Sequence, residues 1–157
     1  MKLKRLLSVL NVRACTADPE LDIRDISFDS RTTQPGDLFA AVCGYESDGH
    51  RFIGAAVERG AAVVLCQKKP EVDIPYILVA DSRLALSRIC CEFFDNPSRE
   101  LTMIGVTGTN GKTTVTTLIK HMLEQCLHTK VGLIGTNANV IGDEVLHLSL
   151  IHISEPT

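Results

Sequence analysis

The run Gly108-Thr109-Asn110-Gly111-Lys112-Thr113-Thr114 contains the residues best suited to chemistry. It follows a short apolar stretch at 102–106 and opens an amphipathic one, Lys112–Leu127, the place of a phosphate-binding loop between strand and helix. The first N–H groups of a helix have no intrahelical partner and carry partial positive charge. Glycines at 108 and 111 let the loop curl so that several amides converge on one anion. Lys112 adds a full positive charge within reach of β- and γ-phosphates, and the Thr113 hydroxyl is placed to ligate Mg²⁺ bridging those oxygens. The strict pattern wants glycine five residues before Gly111, where this chain has Val106, with Gly105 one residue early.

The elements that must position this loop follow from periodicity. Leu3, Leu6, Leu7 and Leu10 recur at helical spacing and predict a short amphipathic helix. Strands are expected at 23–28, with Ile26 and Phe28 on one face, at 38–42, at 62–66 and at Tyr76–Val79. A Pro35-Gly36 turn precedes the second, and a helix at 50–59 stops at Gly60. Asp81 is a suitable N-cap for a helix through Phe94, with Leu86, Ile89, Cys90, Phe93 and Phe94 as its apolar stripe. Asp95-Asn96-Pro97-Ser98 marks a domain boundary. Beyond it come a strand at 102–106, the loop, and a helix with Val115, Leu118, Ile119, Met122, Leu123 and Cys126 on one face. A strand at 131–134 and a hairpin turning at Gly142-Asp143 follow. The class is α/β, with mostly parallel pairing expected in the second half. The expected division is a small α/β domain at 1–96 and the start of a P-loop nucleotide-binding domain at 101–148.

Composition narrows the alternatives. The chain has 157 residues, 45% of them hydrophobic, and a net charge of −3, which excludes intrinsic disorder and argues against a broad nucleic-acid-binding face. No apolar run approaches the roughly 18 residues of a membrane span, and the basic start at Lys2, Lys4 and Arg5 is interrupted too early for a signal peptide. A cytoplasmic monomer with no membrane insertion is expected. The six cysteines form no C-x-x-C pair and read as reduced core thiols, Cys90-Cys91 among them.

The T-G-T-N-G-K-T-T sequence resembles the ATP loop of the Mur ligases and the folylpolyglutamate synthetases, the latter typically with Gly-Ser after the lysine. Asp29-Ser30-Arg31, Pro35-Gly36-Asp37-Leu38-Phe39 and Asp48-Gly49-His50-x-Phe52 resemble the N-terminal domain of Mur ligases. Val131-Gly132-Leu133-Ile134-Gly135-Thr136 and Ile141-Gly142-Asp143 fit the same family, and the Asn110-Gly111-Lys112-Thr113-Thr114 form is similar to the members that add the third amino acid. The resemblance implies an ATP-dependent ligase of peptidoglycan synthesis. Such enzymes join a diamino acid, lysine or diaminopimelate, to a UDP-N-acetylmuramoyl dipeptide through an acyl phosphate, releasing ADP and phosphate. It implies ATP and Mg²⁺ at Gly108, Thr109, Asn110, Gly111, Lys112, Thr113 and Thr114. It makes Lys112 the expected catalytic residue and Thr113 the expected Mg²⁺ ligand. It places the UDP-muramyl end on Phe28, Ser30, Tyr45, Glu46 and Ser47.

Two classes stay open on the residues alone: a ligase of which this is the N-terminal fragment, inactive by itself, and a self-contained P-loop module or phosphotransferase. The dipeptide-adding Mur ligase is a further alternative. Uridine preference separates the first two. Several residues have plainer readings. Asp29-Ser30-Arg31 can be a polar strand end, His50 a helix N-terminal residue, Asp81 a cap, and Asp143 and Glu144 turn residues. His121 and His128 are expected to face solvent. Residues 149–157 resemble a translated adapter and are expected to be non-native.

Overall fold

A computed structural model describes residues 1–44 and 48–146. The chain divides into two units, Met1–Leu101 and Thr102–Thr157. The expected tail at 149–157 lies outside the described residues.

The first unit is a five-stranded sheet with helices on both faces. In chain order its elements are α1 (Leu3–Leu7), β1 (Val12–Cys15), β2 (Ile26–Ser27), β3 (Leu38–Ala40), a 3-10 turn at Gly49–Phe52 leading into α2 (Ile53–Glu58), β4 (Val63–Cys66), β5 (Tyr76–Val79) and α3 (Ser82–Phe93). The strand order is β1-β5-β4-β3-β2. Strands β2 to β5 run parallel, and β1 closes the edge antiparallel to β5. The central strands β3 and β4 are buried at every position, which is why they read as unbroken apolar runs. Alternate side chains serve opposite faces. Leu38, Ala40, Val63, Leu65, Ile77 and Val79 pack with Leu3 and Leu6 of α1 and Ala85 and Ile89 of α3. Phe39, Ala41, Val64 and Cys66 pack with Ile53 and Ala56 of α2 and with Ile74.

Local chemistry sets the boundaries. Gly60 ends α2 at φ +94, where a Cβ would stand 3.0 Å from the Pro35 Cα. Asp81 caps α3, its carboxylate accepting from the N–H groups of Arg83 and Leu84. Replacing Asp81 by alanine is expected to lower stability by about 1 kcal/mol, read as a shift of the urea midpoint at constant slope.

Three expectations need correction here. Strand β1 was not expected: Val-Arg-Ala-Cys has a charged residue, is largely exposed, and pairs with a register shift between Val12 and Ala14, so it lacks an apolar period. In the 23–28 stretch the buried strand residue is Ser27, whose hydroxyl is hydrogen-bonded to that of Thr33, while Phe28 is exposed. Among the cysteines only Cys66 is buried and Cys90 half-buried. Cys15, Cys43, Cys91 and Cys126 are exposed, so Cys91 is not helix core. Apolar neighbours in sequence do not fix which way a strand-edge or helix-surface side chain points.

The second unit holds α4 (Lys112–Leu127) and the strands β6 (Gly132–Ile134), β7 (Asn139–Ile141) and β8 (Glu144–Leu146). The strands form an antiparallel meander, and α4 packs on β6. The hairpin turns at Gly142, φ +58, as its sequence predicts. Among the described residues, parallel pairing therefore lies in the first unit and not in the second. The strand expected at 102–106 is not formed: no described strand pairs with it, and Met103 and Ile104 are exposed. The expected stripe of α4 is also largely open, with Val115, Leu118 and Met122 exposed. The buried side of α4 instead carries Lys120, held by Glu124 one turn on at 2.7 Å. Among the described residues no helix is long and apolar enough to cross a membrane.

Candidate functional site: a glycine loop and the carboxyl edge of a parallel sheet

The loop expected to bind phosphate opens α4 directly. Gly111 is the helix N-cap in the left-handed region at φ +77, and Gly108 stands at φ +147. A side chain would be strained at either position. Because the N-cap is glycine, no side chain caps the first amides of α4, and they are left for an external acceptor. The Lys112 ammonium donates to the Gly108 carbonyl at 2.6 Å, so its charge lies across the loop. The hydroxyls of Thr116 and Thr117 turn back to helix carbonyls, that of Thr116 to Lys112 and Thr113 and that of Thr117 to Thr113. Thr113 is exposed, and its hydroxyl has no hydrogen-bond partner among the described residues. This donor set fits a Mg-nucleotide: free amides and a lysine for phosphate oxygens, and an unengaged hydroxyl for the metal.

Beside the loop lies a cavity of about 400 Å³ lined by Lys112, Thr113, Thr117, Lys120 and the 135–138 segment. The segment ends on Asn139, which is buried. Its side-chain carbonyl accepts from the Gly135 N–H at 3.3 Å, while its amide nitrogen has no partner. Neither Lys120 nor Asn139 carries a sequence signal, since both become notable only through burial.

The second expected site lies on the first unit. Phe28 and Ser30 follow the carboxyl end of β2, and Cys43 and Asp48 follow that of its parallel neighbour β3. The crevice outside the carboxyl ends of parallel strands is where open α/β sheets bind ligands. Ser30 is buried inside a built turn. The Asp29 carbonyl accepts from the Thr32 hydroxyl and lies within hydrogen-bond distance of those of Ser27 and Thr33, and the Asp29 carboxylate pairs with Arg31 at 2.7 Å. That pairing holds the Asp29 carboxyl below its ordinary range. Asp29-Ser30-Arg31 thus forms a hydrogen-bonded turn at the end of β2. Tyr45, Glu46 and Ser47 lie outside the described residues.

Asp48 and His50 flank that segment. The Asp48 carboxylate accepts from the His50 backbone N–H at 3.0 Å and faces His50 Nδ1 at 2.6 Å. These bonds, the backbone one foremost, depress its pKa from 3.8 to about 2. A depressed carboxylate stabilises the fold above its unfolded value and stops doing so as pH falls through the folded one. Acid unfolding followed by circular dichroism is expected to show this loss between about pH 4 and pH 2, and Asp48→Asn to flatten that part of the profile.

Glycine turn, helix, lysine and hydroxyl make an arrangement that fits a phosphate group, carried in one chain with a parallel sheet that has a built carboxyl edge. Two family profiles match the chain in that order: one described as Mur ligase family, catalytic domain, over residues 22–94, and one described as Mur ligase middle domain, over residues 106–153. The chain belongs to the Mur ligase family.

It is 44% identical over 152 residues to the UDP-N-acetylmuramoyl-L-alanyl-D-glutamate–2,6-diaminopimelate ligase of Clostridium tetani, an alignment covering 94% of this chain and 31% of the relative. It is 49% identical over 132 residues to the ligase of the same name from Chlorobium phaeobacteroides, covering 82% of this chain and 26% of the relative. Among solved structures, the MurF ligase of Thermotoga maritima in complex with ADP superposes with a TM-score of 0.52 at 30% identity, over 68% of this chain and 24% of that one. The chain thus spans under a third of the length of the curated relatives it matches.

Proposed function

We propose that this chain supplies the two nucleotide-holding parts of an ATP-dependent ligase that adds diaminopimelate to UDP-N-acetylmuramoyl-L-alanyl-D-glutamate. The observation that carries the reading is the loop of α4: a glycine N-cap, Lys112 across the loop and an unengaged Thr113 hydroxyl. In this reading Gly108, Thr109, Asn110, Gly111, Lys112, Thr113 and Thr114 hold ATP, and Thr113 contributes a ligand to Mg²⁺. ATP supplies the phosphoryl group that turns a poor electrophile, the carboxylate, into an acyl donor. Lys112 and the helix amides stabilise charge that develops on the phosphate oxygens. Phe28, Ser30 and the 45–47 segment hold the UDP end, orienting a reacting carboxylate at the far end of the same molecule. The choice of diaminopimelate over lysine is supported by the names of the relatives at 44% and 49% identity. The protein acts in the cytoplasm as a monomer, and neither nucleic acid nor membrane insertion belongs to this reading.

Calorimetric titration of the chain with Mg-ATP and, separately, with UDP-N-acetylmuramoyl-L-alanyl-D-glutamate tests the assignment. Binding of both is expected, with the UDP ligand preferred over its ADP-linked counterpart and unaffected by Lys112→Ala. Equal affinity for uridine and adenosine forms at one Lys112-dependent site would instead identify a generic phosphate-binding module.

A further inference from the structure

The cavity beside the α4 loop lies wholly within the second unit and is shared by two elements. One is α4, from Lys112 to Lys120. The other is the four-residue turn Gly135-Thr136-Asn137-Ala138 between β6 and β7. Among the described residues no carboxylate lines it, although the chain carries a net charge of −3. Lys112, Lys120 and His121 are its ionisable lining residues. A cavity lined by cations and no carboxylate favours an anion. Most polar groups that α4 offers are already engaged. The Lys120 ammonium pairs with the Glu124 carboxylate at 2.7 Å, and the Thr116 and Thr117 hydroxyls turn back to helix carbonyls. The turn is different. Thr136 and Asn137 are exposed, and neither side chain has a hydrogen-bond partner among the described residues. A hydroxyl and an amide, both able to donate, are thus unused on this lining.

The turn that carries them is pinned. Ile134 and Asn139, which flank it, are ladder partners across β6 and β7. The Asn139 side-chain carbonyl also accepts from the Gly135 N–H, inside the turn, at 3.3 Å. Asn139 is 2% exposed, and its amide nitrogen has no partner. A buried donor left unpaired costs stability, and leucine of similar size would carry no such cost. What asparagine does here that leucine cannot is hold Gly135, and through it the start of the turn.

We propose that Thr136 and Asn137 bind the terminal phosphate of the nucleotide from the β6–β7 side of the cavity, with Asn139 as the positioning residue of their turn. This rests on the reading that Gly108–Thr114 holds ATP. Lys112 and Thr113 then take the β- and γ-phosphates and their Mg²⁺, and both line this cavity, so the end of the phosphate chain is the part of the ligand that faces the turn. The Thr136 hydroxyl and the Asn137 amide donate to its oxygens, neutral donors beside the charge of Lys112.

The test titrates the whole chain and its Thr136→Val, Thr136→Ser, Asn137→Ala and Asn139→Leu variants with Mg-ATP and with Mg-ADP, and follows the urea unfolding of each. Thr136→Val and Asn137→Ala are each expected to weaken Mg-ATP about tenfold, the loss of one hydrogen bond to a charged group. Both are expected to leave Mg-ADP affinity and the urea midpoint unchanged, because the side chains are exposed and unpaired. Thr136→Ser keeps the hydroxyl and is expected to keep the affinity. Asn139→Leu is expected to weaken Mg-ATP without lowering the midpoint. Unchanged Mg-ATP affinity in Thr136→Val and Asn137→Ala would overturn the contact and leave the reading of the α4 loop standing. Equal losses for Mg-ATP and Mg-ADP would overturn the terminal-phosphate assignment. A lower midpoint for Asn139→Leu with full Mg-ATP affinity would overturn its positioning role and make it a core residue. Absence of Mg-ATP binding by the unaltered chain would overturn both this inference and the reading of the loop.

Discussion

Lys112→Ala will weaken Mg-ATP binding about 10- to 100-fold. A hydrogen bond to a charged group contributes about 1.5–3 kcal/mol, and each 1.4 kcal/mol is tenfold in affinity. The ammonium sits at the mouth of the loop, 2.6 Å from the Gly108 carbonyl, and no neighbouring cation in the loop can stand in for it. In a complete ligase the effect on turnover will be larger, about 3–4 kcal/mol or several hundred-fold, because phosphate oxygens gain charge in the transition state. Helix content will be unchanged, since Lys112 makes no contact that the core needs. Isothermal titration and circular dichroism of the same sample check both statements. Near-normal ATP affinity in the folded variant would show that the loop is misassigned.

Phe39→Ala will have the largest effect on stability. Phe39 is 1% exposed in the middle of β3, packed between α2 and the sheet with Ile53, Ala56 and Val64. Phe→Ala at a packed site costs about 3–5 kcal/mol, from lost transfer energy and the cavity left behind. Domains of this size are stable by only about 5–15 kcal/mol, so the first unit will lose much of its margin. The loss should appear as a lower urea midpoint for the near-ultraviolet signal of the first unit. Because the proposed UDP site is built on the ends of these strands, UDP-ligand binding should fall with the folded fraction, while the amides of Gly108–Thr114 keep their response to Mg-ATP. A change under 1 kcal/mol would contradict the assigned packing.

The loop that opens α4 was legible because glycine and lysine at that spacing mark a turn from coil into helix. The sequence made β3, β4 and β5 visible because a strand covered on both faces must be apolar throughout. Asp81 and the Gly142 turn were legible because capping and turn chemistry are local. Four residues with an arginine, as in Val12–Cys15, give no such signal, because an edge strand is defined by its partner. The converse holds at 102–106, where apolar residues without a described partner strand form no strand. The open face of α4 and the exposed Cys91 show that helical spacing predicts a stripe but not what packs on it. At the candidate site, Asp48 was legible only as part of a family-like motif and His50 as a helix N-terminal residue. Their link to Gln67, 17 residues on, exists solely because β3 and β4 are parallel neighbours.

The account rests on one chain presenting two separate nucleotide sites. Amide chemical-shift mapping of the intact chain tests this most directly, with Mg-ATP and UDP-N-acetylmuramoyl-L-alanyl-D-glutamate added one at a time. Mg-ATP should move the amides of Gly108, Asn110, Gly111, Lys112 and Thr113. The UDP ligand should move those of Phe28, Ser30 and the residues flanking segment 45–47, and leave the α4 loop unmoved. Perturbation of the Gly108–Thr114 amides by both ligands, with the β2 and β3 ends silent, would contradict it.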